Sequence, residues 1–131
     1  MQLKFISILV SDQQRALDFY VNVLGFEKMA DIPMGEYRWL TVVSPDGLEG
    51  VELVLEPIAF EPAKVYQKAL HDAGIPATAV ISRDIDVEYK MLLSRKVRFL
   101  SEPTSYGMIK TALFDDTCGN LINLVQPTAS S

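Results

Sequence analysis

The sequence of 131 residues contains one cysteine, Cys118, and one histidine, His71. A single cysteine excludes a disulfide within the chain. Ser-His-Asp and Cys-His catalysis would both have to use His71 as the base, and the sequence places this residue late in a helix, where a histidine usually interacts with the last carbonyls. Cys118 lies in a polar turn with no predicted base beside it, so we expect an ordinary free thiol.

Positive charge is also scarce, because 12 lysines and arginines face 17 acidic residues and the net charge is -5. The basic residues alternate with acidic and apolar ones and form no stripe, so we expect neither a nucleic-acid partner nor a membrane partner. No apolar run approaches the roughly 18 residues of a membrane-spanning helix. No signal-peptide pattern opens the sequence, and no glycine-rich phosphate loop occurs, so we expect a cytoplasmic protein.

What the sequence does contain is a weak internal repeat within 49% hydrophobic residues. Each copy reads as an alternating strand, an aspartate that caps a helix, the helix itself and further strands, with Asp12 and Asp84 as the capping residues. Lys96 stands where the first copy has Gly25, so the second helix must either end without that glycine or accept a strained residue. Strands are predicted over 3–10, 27–31, 37–44, 51–56, 77–82, 97–102, 108–115 and 121–125, and helices over 13–24, 62–74 and 85–95.

These elements predict one domain over 1–131. Module one spans about 3–58 and is followed by a linking helix at about 62–74, with Tyr66, Ala69, Leu70 and Ala73 as its apolar stripe. Module two spans about 76–127, and residues 128–131 form a frayed tail.

The chain resembles the vicinal oxygen chelate superfamily, which includes glyoxalase I, extradiol dioxygenases, and fosfomycin and bleomycin resistance proteins. The resemblance covers Leu3 to Pro127. It rests on the segments 10–12, 16–20, 23–26, 52–53, 97–99 and 115–120. It implies an α+β fold of two βαβββ modules, whose eight strands form one curled mixed sheet, an open cup, with helices on the outer face. It also implies a homodimer.

Enzymes of this superfamily hold a divalent metal through side chains on the first and last strand of each module. Counting back seven residues from the two capping aspartates places the first-strand positions at Phe5 and Ala77. The last strands offer Glu52, or Glu56 if the register slips by four, and Asn123. Phe and Ala donate nothing to a metal and an amide is a weak ligand, so we expect no metal and no other cofactor.

The leading hypothesis is a metal-free protein that binds a small organic molecule in the cup. The predicted ligand-binding residues are Phe5, Ser7, Trp39, Glu52, Ala77, Ala79, Met108 and Asn123, and Tyr37, Tyr106 and Phe114 are further candidates for its wall. A second hypothesis is a lyase, isomerase or dioxygenase-like enzyme that uses Glu52 as a general base or binds a metal through a non-standard set of ligands. A third is an interaction module whose cup is filled, for example by the ring of Phe5.

Overall fold

The computed structural model describes residues 1–127, so the predicted tail lies outside the described residues. Strands β1 to β8 span Phe5–Val10, Glu27–Met34, Tyr37–Val43, Glu52–Pro57, Thr78–Ile81, Thr104–Tyr106, Ile109–Asp115 and Leu121–Pro127. Helices α1 to α3 span Gln13–Asp18, Glu61–Asp72 and Ile85–Ser94, and α1 continues into a π-helical segment, Phe19–Val23.

The strands form two four-stranded mixed sheets, β1-β4-β3-β2 and β5-β8-β7-β6. In each sheet the first strand of the module runs parallel to its last, and the remaining pairs are antiparallel. This arrangement confirms the α+β fold and the strand order of two βαβββ modules. The sequence analysis expected one curled sheet of eight strands, whereas within residues 1–127 no strand pair joins the two sheets.

The capping aspartates start both module helices. The Asp12 carboxylate accepts a hydrogen bond from the Arg15 backbone N–H at 2.9 Å, and Asp84 accepts one from Val87 at 3.2 Å. Lys96 has a φ of 66°, in the left-handed region that glycine occupies at Gly25. Of the two alternatives for this helix end, the structure has the strained residue, because a side chain crowds the backbone at this φ.

One hydrophobic core joins both modules. It combines inward-facing residues of the two sheets with residues of α1, the π-helical segment and α3. Phe114 on β7 is fully buried in this core, 6.2 Å between ring centroids from Phe19. The assignment of Phe114 to the cup wall is therefore wrong, since strand alternation turns it inward. The two module helices pack within this shared core, so each sheet turns its other face outward.

The segment after α3 differs from the prediction. Residues 97–102 contain only an isolated bridge between Phe99 and Phe114, and β6 begins later, at Thr104. Val97 and Phe99 alternate like strand residues, but both pack against the core. Pro103, which follows, has no N–H to give to a strand ladder.

Helix α2 buries a polar side chain rather than the predicted apolar stripe. Tyr66 is 61% exposed, whereas Gln67 is 8% exposed and donates hydrogen bonds to the carbonyls of Leu9 at 2.9 Å and Cys118 at 3.1 Å. Helix α2 therefore connects the end of β1 to the β7–β8 turn through hydrogen bonds. A side chain at Gly119 would place its Cβ 2.5 Å from the Gln67 Oε1, so this contact requires glycine.

Candidate functional site

Four of the predicted ligand-binding residues share the outer face of the first sheet. Phe5 lies directly opposite Glu52, and Ser7 lies opposite Val54. Since side chains alternate along a strand, Phe5, Ser7 and Glu52 point to one side of the sheet. Trp39 joins them, because its ring lies 5.3 Å from the ring of Phe5 in an edge-to-face arrangement.

Glu52 is a buried carboxylate on this face, at 8% exposure. The Thr41 hydroxyl donates to its Oε1 at 2.6 Å, and the Lys4 ammonium lies 3.6 Å from its Oε2. Thr41 is a functional candidate that sequence reasoning missed, although its position in an alternating strand could have placed it on the same face. Glu56 lies opposite Leu9 and is exposed, so it is not the carboxylate facing Phe5.

Large apolar side chains on the same outer face as Glu52 remain accessible. Strand pairing places Ile32 opposite Trp39 and Met34 opposite Tyr37 on the same outer face. Ile32 and Met34 are more than half exposed, and Phe5 is 44% exposed. We call Phe5, Ile32, Met34, Tyr37 and Trp39 the apolar rim. Accessible aromatic and methionine side chains around a single polar group are typical of sites for small organic molecules.

The outer face of the second sheet carries fewer of the predicted polar side chains. Asn123 lies opposite Ala79, two residues beyond the Ala77 that the count from Asp84 selected. Ala77 precedes β5, and its backbone N–H bonds to the carbonyl of Leu121. Met108 lies in the turn between β6 and β7 and is 68% exposed. Either register leaves an alanine at the first-strand position, so Asn123 is the one predicted donor on this sheet.

This donor set does not fit the metal centre of the superfamily's enzymes. Glu52 and Asn123 belong to different sheets, so the outer face of either sheet offers one of these two donors. Glu52 Oε1 already accepts the Thr41 hydroxyl, and the strand partners Phe5 and Ala79 carry no donor atom. Nowhere in the described chain do three His, Cys, Asp or Glu side chains come together as a metal-binding group.

A second polar cluster is buried where the modules meet. The Asp116 carboxylate accepts the Tyr20 hydroxyl at 2.7 Å, the side-chain amide of Asn120 at 2.8 Å, and the backbone N–H groups of Cys118 and Asn120. Burial raises the pKa of Asp116 above its usual value, against the lowering effect of these donors. Burial and the neighbouring Asp116 also raise the pKa of Cys118 to about 11, so its thiol stays protonated at neutral pH.

His71 lies outside both outer faces. Its Nε2 is 2.9 Å from the Asp115 Oδ2, so its partner is a carboxylate of module two rather than a helix carbonyl. Like Gln67, His71 connects α2 to the β7–β8 region.

Between the inner faces of the modules lies a cavity of about 650 Å³. Glu52 and Ala79 are the two predicted ligand-binding residues among its lining. Ligand sites commonly occupy about 300–1,000 Å³, a range that includes this volume.

Two βαβββ modules around one core, each with an outward sheet face, define the architecture of the vicinal oxygen chelate proteins. A family model described as the Glyoxalase/Bleomycin resistance protein/Dioxygenase superfamily matches residues 2–124. The chain belongs to this superfamily. Among the helices of residues 1–127, none is long and apolar enough to span a membrane.

Known relatives resemble the chain over nearly its whole length. It is 50% identical over 126 residues to the uncharacterized protein YurT of Bacillus subtilis (strain 168), covering 96% of this chain and 99% of YurT. The crystal structure of UcmS2 matches at a TM-score of 0.81 and 30% identity, over 95% of this chain and 97% of UcmS2. TnmS3, an antibiotic binding protein from Streptomyces sp. CB03234, matches at 0.74 and 30% identity, over 97% of this chain and 96% of TnmS3.

Proposed function

We propose that the protein binds a small organic molecule on the outer face of module one, without a metal. The observation that carries this proposal is that the buried Glu52 lies opposite Phe5 on the outer face that also carries the apolar rim. The rim supplies contact area for an apolar or planar body, and Glu52 with Thr41 supplies one polar anchor. The similarity to TnmS3, which binds an antibiotic, supports a binding role that requires no chemical step.

We further propose that the working unit is a homodimer. Both outer faces expose large apolar side chains, such as Met34 at 59%, Ile81 at 69% and Tyr106 at 64%. Exposed apolar surface of this kind is typical of an interaction face. A cup that uses both outer faces requires two chains, because the two faces of one chain point away from its shared core.

The dimer is tested by sedimentation at micromolar concentration. We expect the wild-type chain to sediment as a dimer and Ile81→Glu to weaken the association, since an unpaired carboxylate would be buried at the contact. Val65→Glu is the control, because Val65 is 60% exposed on α2, away from both sheet faces. A wild-type monomer at these concentrations would contradict this part of the proposal.

Binding is tested through Trp39, the single tryptophan of the sequence. Catechols, hemithioacetals and 2-oxo esters are titrated while Trp39 fluorescence is recorded. We expect a saturable fluorescence change. Glu52→Gln should weaken the affinity, and Glu56→Gln should leave it intact, since Glu56 is exposed and lies four residues further along β4. Stoichiometric metal in protein purified without chelator, lost in Glu52→Gln and Asn123→Ala, would refute the metal-free proposal.

A second candidate function is proton abstraction next to a carbonyl, with Glu52 as the base. It is favoured by the burial of Glu52 beside an accessible apolar surface, where a carboxylate is shielded from water. The test is deuterium incorporation from D₂O at C3 of 2-oxo esters, the carbon next to the ketone, with and without added Mn, Fe, Ni or Zn. Exchange that disappears in Glu52→Gln would establish this activity, and absence of exchange under every condition would exclude it for these substrates.

A further inference from the structure

The cavity of about 650 Å³ lies on the opposite side of the first sheet from the apolar rim. Val42 and Leu53 contribute its wall on the first sheet, and both belong to the inward-facing set that packs on the core. The rim residues alternate with them along the same strands. Val80 and Leu124 of the second sheet and Met91 of α3 complete the apolar wall. The cavity is thus lined by one chain and open to solvent at Leu48 and Val87, whereas the rim lies on the other face of the first sheet.

The cavity approaches the rim only at its border. Glu52, Ala79 and Ile81, which belong to the outer faces, also line the cavity where β4 begins and where β5 forms a sheet edge. Phe5, Trp39 and Asn123 are not among its lining residues. A molecule inside the cavity would therefore contact different side chains from a molecule on the rim.

The charges around the cavity are predominantly negative. Its lining includes the carboxylates Asp46, Glu52, Asp84 and Glu88 but a single cationic side chain, Arg83. Glu52 is paired with Thr41 and Lys4, and Asp84 caps α3. Asp46 and Glu88 are the carboxylates left to face a ligand. Excess negative charge around a concave site favours a cation over an anion of the same shape.

We propose that this cavity is a second ligand site, separate from the rim, that takes a hydrophobic organic cation. The apolar wall would enclose the hydrocarbon part of the ligand, and Asp46 and Glu88 would face its ammonium group. The volume suits a drug-sized molecule. The site uses one chain, so it does not depend on the proposed homodimer or on binding at the rim.

The test localises binding with the methyl resonances of isotope-labelled methionine, followed by NMR. Met91 lines the cavity and Met34 lies on the rim, so the two resonances report the two sites separately. The probes are phenylbutylammonium and its anionic counterpart phenylbutyrate. We expect the cation to shift Met91 with little effect on Met34, and to bind about tenfold more tightly than the anion. A shift at Met34 alone, or equal affinity for the two probes, would overturn the proposal.

Matched valine variants test whether the cavity itself holds the probe. Val87 of α3 lines the cavity at 61% exposure, and Val65 of α2 is 60% exposed outside it. We expect Val87→Trp to narrow the cavity and reduce phenylbutylammonium affinity at least tenfold, and Val65→Trp to leave it unchanged. Glu88→Gln should reduce the preference for the cation without filling the cavity.

Circular dichroism confirms that each variant is folded before titration. Unchanged affinity in a folded Val87→Trp protein would contradict the proposal. Failure of the rim proposal would instead appear as an unresponsive Trp39, while Met91 still reports the cation.

Discussion

Removal of the Tyr20 hydroxyl tests the buried cluster that joins the modules. Tyr20 is 2% exposed, and its hydroxyl donates to Asp116 at 2.7 Å. The carboxyl oxygens of Asp116 accept all four of its side-chain hydrogen bonds and donate none, an arrangement that suits a charged carboxylate. A hydrogen bond to a charged group contributes about 1.5–3 kcal/mol. Because the ring still packs in Tyr20→Phe, we expect a loss of about 2 kcal/mol in the free energy of unfolding.

The loss should depend on pH in a defined direction. Burial raises the pKa of Asp116 above its usual 3.8, so its ionisation in the folded state costs stability as pH rises through the raised pKa. The Tyr20 hydroxyl lowers that pKa by stabilising the carboxylate. In Tyr20→Phe the pKa rises further, and the destabilisation should be larger at neutral pH than below 3.8. With Asp116 protonated, a neutral hydrogen bond contributes only about 1 kcal/mol.

The assay is urea unfolding followed by circular dichroism, at several pH values and one fixed protein concentration. The control is Tyr66→Phe, because Tyr66 is 61% exposed and its hydroxyl is accessible to water. In a thermal melt at neutral pH, a loss of about 2 kcal/mol should lower the melting temperature of Tyr20→Phe by roughly 6–10 °C for a domain of this size. A loss below about 0.5 kcal/mol, or a larger loss in acid than at neutral pH, would refute the reasoning.

Three further predictions concern single positions. Lys96→Gly should raise the free energy of unfolding by about 1 kcal/mol in urea titrations, because glycine adopts the φ of 66° without crowding; a lower midpoint would contradict this. In the same assay, Gly119→Ala should lower the free energy of unfolding more than Gly107→Ala. Both glycines have positive φ, but only a side chain at position 119 would crowd Gln67. Equal losses for the two variants would contradict this contact. Cys118 should resist a thiol-reactive dye at pH 8 until urea unfolds the chain, because its pKa is about 11; rapid labelling of folded protein would exclude a buried thiol.

Local sequence signals account for most of the fold. Asp12 and Asp84 cap helices because a short carboxylate side chain reaches the free N–H groups of the first turn. The resemblance, rather than a local signal, brought Phe5 and Glu52 together, and the two residues lie directly opposite each other on neighbouring strands. The strand predicted over 97–102 failed because alternation also arises when a loop packs every second residue on a core.

Long-range contacts were beyond these local signals. The sequence gives no measure of how two modules pack, so it could not predict that Phe114 turns inward or that Gln67, rather than an apolar stripe, is the buried residue of α2. Thr41 was missed for a similar reason, because its role depends on the distance to Glu52 across a strand pair.

The sequence by itself determined the two modules, their helix caps and the side chains without donor atoms, phenylalanine and alanine, on the first strand of each module. Those features depend on residue identity and on neighbours within a few positions. Only the tertiary structure decided that the outer faces point away from one shared core and that a cavity remains between the modules. The physical reason is that packing depends on shape and burial across distant segments, which residue spacing does not encode.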